Sequence, residues 1–119
     1  MVRQRYDFQK LDVYQKSLDF AERVFKVTQR FPTQIQYSLG DQFRRATLSI
    51  CNNLAEGAQK RGPAKRQFYG YALGSARECV PMIELALRLK LFGEAEASTC
   101  SDDCFHICNM LYRLMQSTL

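Results

Sequence analysis

The chain has 119 residues, of which 46% are hydrophobic and 24% charged, and its formal net charge is +5. This size suits one domain with its own core, so we predict a single domain over residues 1–119. The chain lacks an apolar run long enough for a secretory signal or a membrane span, and its five cysteines lack a C-x-x-C spacing. We therefore expect a cytoplasmic protein without membrane contact or disulfides.

Helix one is predicted over about residues 7–30, because its apolar residues recur at alternating steps of three and four. This first stripe comprises Leu11, Tyr14, Leu18, Ala21, Phe25 and Thr28. A second stripe runs beside it and comprises Val13, Phe20, Val24 and Val27. A broad core face and a subunit contact both explain such a wide apolar surface.

Helix two is predicted over about residues 39–59. Phe31-Pro32 ends helix one, since proline disfavours helical angles in the residue before it. Ser38 is the expected N-cap of helix two, with Asp41 in its first turn.

Helix three is predicted over about residues 63–91, because Gly62-Pro63 favours a helix start and Gly93 a C-terminal cap. Pro81 removes a hydrogen bond inside it and should bend its axis. Helix four is predicted over about residues 98–117, with Ser98 at its start and acidic residues in its first turn.

Four helices with short connections predict an all-α fold, an antiparallel up-and-down four-helix bundle whose third helix is the longest. The hairpin of helices two and three should turn near Arg61, which sets Ser49 opposite Gly74 and Asn53 opposite Gly70. We expect these two glycines to let the backbones approach closely.

Polar residues on helices two and three are interpreted as an internal polar network of the bundle. They are Gln42, Arg45, Ser49, Asn53, Glu56, Ser75 and Glu78. The hairpin register predicts an ion pair between Arg45 and Glu78, with hydrogen bonds from Ser49 and Asn53.

The excess positive charge is confined to one stretch of the chain. Residues 57–77 hold five basic residues and no acid, whereas the other 12 basic and 12 acidic residues cancel. Such a cluster can bind phosphate backbones, and a solvated turn between helices explains it equally well.

No set of residues suited to catalysis stands out, so we predict a protein that is not an enzyme and needs no cofactor or metal. A di-iron bundle needs histidines on two helices, and the chain has one, His106, three residues after Asp103. Cysteines 100, 104 and 108 follow one side of helix four and suit small core positions. A rival hypothesis places an undetected enzyme at Glu56, Glu78 and Arg45.

Several motifs occur in order along the chain. They are F-x-x-L-x-V-Y from Phe8, F-P from Phe31, S-L-x-x-Q-x-R-R-A-x-x-S-I-x-x-N-L-A-E-G from Ser38, and A-L-G-S-A-R-E from Ala72. In this combination the chain resembles the four-helix bundle family encoded within intervening sequences of bacterial 23S rRNA genes.

The resemblance implies a homo-oligomer, a closed ring of five subunits, with no established enzymatic activity. The fold is also similar to the accessory protein of diversity-generating retroelements, whose positively charged pentameric barrel holds a reverse transcriptase and its nucleic acid. By this likeness we expect a nucleic-acid-associated scaffold for RNA or DNA. Its candidate contacts are Lys60, Arg61, Lys65, Arg66 and Arg44. The alternative is a protein-binding adaptor that docks a partner enzyme, such as a reverse transcriptase, without touching nucleic acid.

Overall fold

The computed structural model describes residues 3–118, which form four antiparallel α-helices and no strand. The helices are α1 Asp12–Thr28, α2 Asp41–Ala58, α3 Gly62–Arg88 and α4 Glu94–Gln116. Each helix packs against the next, and α4 returns to α1. This is the predicted all-α up-and-down bundle, and α3 is its longest helix at 27 residues. The predicted domain limits, Met1 and Leu119, lie outside the described residues.

The core is a continuous apolar cluster along the middle of the bundle. Phe20 of α1 and Phe43 of α2 meet edge to face, with ring centroids 6.4 Å apart. Ile107 and Leu111 of α4 are fully buried beside them in the same cluster. Burial of such side chains, at about 1.5–3 kcal/mol each, is the main force holding the four helices together.

On α1 the structure separates the two apolar stripes. The second stripe, from Val13 to Val27, is buried in the core, whereas the first is covered only in part and leaves Leu18 40% exposed. The first stripe is therefore not the main core face that its periodicity suggests. It lies along the edge that α1 shares with α2.

The start of α1 is later than predicted. Asp7–Lys10 forms a 3₁₀ turn, and Leu11 has extended backbone angles that separate this turn from the helix. The side-chain carbonyl of Gln9 accepts the backbone N–H groups of Arg5 and Tyr6, both at 2.8 Å. These bonds satisfy donors that a continuous helix would leave unpaired at its first turn.

The expected N-cap at Ser38 is wrong. Helical structure already begins after Pro32, runs through Thr33–Ile35 and a π-helical turn at Gln36–Gly40, and enters α2 without a break. The Ser38 hydroxyl donates to the Ile35 carbonyl at 3.3 Å instead of capping. A serine inside a helix commonly makes this kind of backward bond.

The corner between α3 and α4 also differs from the prediction. α3 ends at Arg88, and Lys90 takes the left-handed conformation with φ of 57°. The Leu91 N–H donates to the Ala86 carbonyl at 2.9 Å, which completes a Schellman motif. Gly93 caps the start of α4, where its N–H donates to the Glu96 carboxylate, so neither Ser98 nor Gly93 has its expected role. α3 runs through Pro81 as one helix, and the bend there stays a prediction.

Close approach in the α2–α3 hairpin depends on Gly57. A Cβ atom there would lie 2.9 Å from ring carbons of the buried Tyr69. At Gly74 it would meet nothing within 4 Å, and at Gly70 only the terminal methyl of Met115 at 3.4 Å. The expected role of these two glycines is therefore wrong, because the tightest helix contact lies beside the turn.

Candidate interaction surfaces

Four basic residues surround the connection between α2 and α3, and we call them the basic turn. They are Lys60, Arg61, Lys65 and Arg66. Arg61 has extended backbone angles and Gly62 has a φ of +55°, which together reverse the chain. Arg61 and Arg66 are exposed, and Lys60 and Lys65 are half-buried. None of the four pairs with an acid within residues 3–118.

The surroundings of the basic turn add to its positive potential. α3 begins here with no acidic residue in its first turn, so the positive end of its helix dipole is not offset. Glu56, the acid that precedes the turn, accepts a hydrogen bond from the Gln59 amide at 3.2 Å. The Lys60 ammonium lies 5.6 Å from the centroid of the Phe68 ring. Tyr71, which contacts Phe68 edge to face, is 50% exposed.

The amino-terminal segment lies at the same end of the bundle. Tyr6, Asp7 and Phe8 line a cavity of about 420 Å³ together with residues 55–59 of α2 and its last turn. Arg3 and Arg5 precede this contact along the chain. The basic turn is therefore joined by two further cations at one end of the molecule.

Arg44 faces the interior of the bundle. Its guanidinium donates to the Thr28 hydroxyl at 2.9 Å, to the Gln36 side-chain carbonyl at 3.0 Å and to the Gln36 backbone carbonyl at 2.9 Å. Gly40 allows this approach, because a Cβ there would lie 3.2 Å from the guanidinium. Arg44 thus fixes the π-helical turn against α1, and we omit it from the basic turn.

Three of the seven residues assigned to the polar network are hydrogen-bonded to one another. The Ser49 and Ser75 hydroxyls lie 2.8 Å apart across α2 and α3, and the Asn53 amide donates to the Ser49 hydroxyl at 3.0 Å. Ser49 thus meets Ser75, one residue from the expected partner Gly74. The side chains of Gln42, Arg45, Glu56 and Glu78 are exposed.

The expected ion pair between Arg45 and Glu78 does not form. Arg45, which is 77% exposed, pairs with Asp41 one turn earlier on its own helix, at 3.0 Å. Two exposed charges on one helix meet at less cost in side-chain entropy than charges on two helices.

The seam between α4 and α1 is charged, and we call it the charged seam. Asp103 is buried there and accepts hydrogen bonds from Lys16 at 3.1 Å and Arg23 at 2.9 Å. Farther along, Arg30 pairs with Glu96. A groove of about 500 Å³ follows this seam. Sequence reasoning missed the cluster, because Lys16 and Asp103 lie 87 positions apart.

The seam between α3 and α4 is an open groove of about 460 Å³, which we call the α3/α4 groove. Phe105 is 64% exposed, Tyr112 56% and Val80 45%. The groove is lined by Leu73, Arg77, Val80, Ser101, Cys104, Phe105, Cys108, Asn109 and Tyr112. Large apolar side chains are thus only half covered along this side.

The α1/α2 seam, on the opposite side of the bundle, is also apolar. Leu18 of α1 and Leu48 of α2 are 40% and 45% exposed. One turn away, Tyr14 lies near Cys51, and burial followed by the charge of this thiolate raises the pKa of Tyr14. The partly covered first stripe of α1 belongs to this surface.

No group of three or more histidine, cysteine or acidic side chains within residues 3–118 is arranged to hold a metal ion. Asp103 is already engaged by two cations, and His106 is exposed next to Phe105. In the same range, no helix is both long and apolar enough to cross a membrane.

Comparisons with known proteins agree with this architecture. The chain is similar to a crystal structure of a protein with unknown function from the S23 ribosomal protein family of Bacteroides thetaiotaomicron VPI-5482. The TM-score is 0.79 at 24% identity, over 87% of this chain and 95% of the other, which shows a shared fold. No curated protein matches the chain. The model of the 23S rRNA-intervening sequence protein family matches residues 9–113. The chain therefore belongs to the 23S rRNA-intervening sequence protein family.

Proposed function

We propose that this protein is a non-catalytic scaffold that assembles into a closed ring and binds nucleic acid through its basic turn. The observation that carries the proposal is that Lys60, Arg61, Lys65 and Arg66 have no acidic partner within residues 3–118, whereas the other bundle charges near α1 and α4 are paired.

Assembly is supported by the position of the two apolar seams. The helices pack in the cyclic order α1, α2, α3, α4, so the α1/α2 seam and the α3/α4 groove lie on opposite sides. Two different surfaces on opposite sides favour a heterologous contact, which closes into a ring when the rotation between subunits allows it. Five subunits is the ring size that the family resemblance implies.

A ring would multiply the effect of the basic turn. All copies of the turn would lie at the same end of their bundles, and so on one rim of the assembly. Each phosphate neutralised releases condensed counterions, so a repeated patch binds far more strongly than one patch alone. The exposed Tyr71 would add a ring on which an unpaired base can stack.

The rival enzyme hypothesis has less support. It needs Glu56, Glu78 and Arg45 to form one cluster, but Arg45 pairs with Asp41 and Glu56 bonds to Gln59. All five cysteines are free thiols, as expected of a protein in a reducing, cytoplasmic compartment.

Nucleic-acid binding is tested by fluorescence anisotropy on single- and double-stranded RNA and DNA at several salt concentrations. We expect affinity to fall steeply with salt and to weaken at least about tenfold when the four basic-turn residues become alanine. The matched control replaces Lys26, Arg30, Arg45 and Arg88 with alanine, which removes the same charge elsewhere. Equal losses in both variants, or affinity indifferent to salt, would overturn the proposal.

A second candidate function is the protein-binding adaptor, in which the ring docks a partner enzyme. The half-exposed Phe105 and Tyr112 favour it, because aromatic side chains dominate protein contacts. Binding of a partner protein that is unchanged by the alanine substitutions in the basic turn would favour the adaptor over the scaffold.

A further inference from the structure

We infer that Cys108 is a site of thiol–disulfide exchange with a small anionic disulfide, and that this reaction takes place on the unassembled subunit. Cys108 is half-buried in the wall of the α3/α4 groove, between the exposed aromatic rings of Phe105 and Tyr112 along α4. The groove is open to solvent at one side and has room for a small molecule beside the sulfur.

Two neighbours prepare Cys108 for this chemistry. Cys104, one turn earlier and buried, is hydrogen-bonded to it and remains protonated. The Cys104 sulfur also lies 3.0 Å from the Ala76 carbonyl. Since a thiol has one proton, Cys104 donates to either acceptor, and an ionised Cys108 is the stronger one. Arg77 lines the same groove and makes no ion pair within residues 3–118.

These contacts have a consequence for ionisation. The hydrogen bond from Cys104, and then the charge of Arg77, lower the pKa of Cys108 from its ordinary value despite partial burial. The titratable and charged groups around it are Arg77 and Cys79 on α3 and Cys104 on its own helix. Because the thiolate is the attacking species in exchange, Cys108 is the reactive thiol of the chain.

The other four thiols have the opposite environment. Burial raises the pKa of Cys51 and of Cys100 to about 11, and that of Cys79 to about 12. The hydrogen bond to Cys108 and burial also raise the pKa of Cys104. All four are buried. One site therefore stands apart in both access and charge.

In the exchange, the Cys108 thiolate attacks one sulfur of the disulfide R–S–S–R. A new S–S bond joins Cys108 to one R–S group, and the old S–S bond breaks to release the other group as R–S⁻. Arg77 favours a reagent that carries a negative charge. Cys104 cannot displace the attached group readily, because cysteines one helical turn apart are badly placed for a disulfide. The mixed disulfide thus persists until an external thiol removes it.

The part concerning assembly rests on the proposed function, since a ring contact through the α3/α4 groove would cover Cys108. A group attached to Cys108 would then occupy the contact surface and hold the subunit apart. The two ideas can be tested separately with Leu48→Glu, which alters the α1/α2 seam and leaves the groove intact.

The experiment treats the full chain with dithiobis(nitrobenzoate), which is anionic, and in parallel with the neutral dithiodipyridine. In Leu48→Glu we expect one thiol to react at least about tenfold faster than the others, with the adduct on Cys108 by peptide mass mapping. Cys108→Ser should lose this fast phase. Arg77→Met should slow the anionic reagent more than the neutral one and move the midpoint of the rate-against-pH curve upward.

Fast labelling that persists in Cys108→Ser, or equal reaction of all five thiols in the folded chain, would overturn the assignment. Equal slowing of both reagents by Arg77→Met would overturn the preference for anions. In the wild type, labelling should slow as protein concentration rises. If it instead matches Leu48→Glu at every concentration, assembly through the groove is wrong while the Cys108 assignment is retained.

Discussion

Helix α4 forms two seams of opposite chemistry. Toward α1 it buries Asp103 under Lys16 and Arg23, and adds the pair of Glu96 with Arg30. Toward α3 it leaves Phe105 and Tyr112 more than half exposed. One helix thus has a side on which every charge near α1 has a partner, and a side on which large apolar surface has none.

The difference indicates which surface is complete within the single chain. A buried carboxylate with two cationic partners gains nothing from a further protein, because its hydrogen bonds are already made. Exposed aromatic side chains, in contrast, lose unfavourable contact with water when a partner covers them. We therefore expect substitutions in the charged seam to alter subunit stability, and substitutions in the α3/α4 groove to alter association.

The largest expected effect is on assembly. Replacing Val80 and Phe105 with glutamate should weaken subunit association by about a hundredfold or more, because two apolar contacts are lost and charge is placed in the contact. Sedimentation or light scattering gives the molar mass. Urea unfolding should show that the subunit remains folded. The control Lys26→Glu, on the charged seam, should leave the mass unchanged; a fall in mass there as well would contradict the contrast between the seams.

A smaller effect is expected in the charged seam. Asp103→Ala should destabilise the subunit by about 2 kcal/mol, since Lys16 and Arg23 lose their shared acceptor but remain partly solvated. Urea unfolding measures the change. The matched control is Asp102→Ala, which removes an exposed carboxylate one position earlier and should shift stability by less than about 0.5 kcal/mol. Equal shifts would mean that the ion-pair cluster contributes nothing.

The corner that joins α3 to α4 offers a gain in stability. Lys90 has a φ of 57°, a conformation that costs an L-residue about 1 kcal/mol and a glycine much less. Lys90→Gly should therefore raise the free energy of unfolding by up to about 1 kcal/mol in thermal or urea melts. Arg88→Gly, at a position inside the helix, should lower it. Destabilisation by both substitutions would show that the Lys90 side chain outweighs its backbone strain.

The sequence predicts the fold well because its local signals are strong. The proline after Gly62 and the short turn at Arg61 determine the α2–α3 hairpin, whose observed pairing of Ser49 with Ser75 is one residue from the prediction. The boundaries at Ser38 and Gly93 are less predictable, because serine and glycine suit several helix positions. Their roles depend on Arg44 reaching Thr28 and on Glu96 bonding Gly93.

The surfaces are harder to predict, since they depend on which helices lie side by side. Both stripes of α1 are apolar in sequence, and only packing shows that Leu18 remains exposed. The Asp103 cluster likewise depends on the return of α4 to α1. The basic turn is local, so its residues could be found directly from the sequence.

The smallest expected effect tests the outer part of the charged seam by pH. The hydrogen bond from Arg30 lowers the pKa of Glu96 below its ordinary value of 4.5. Because the folded pKa is the lower one, this contribution to stability is complete above pH 4.5 and is lost as pH falls through the folded value. Both side chains are largely exposed, so we expect only about 0.3 kcal/mol. The measurement compares urea midpoints at pH 6 and pH 3 for the wild type and Glu96→Gln, which cannot titrate. The wild type should lose slightly more stability on acidification, and parallel losses would show that this pair is too solvated to help close the seam.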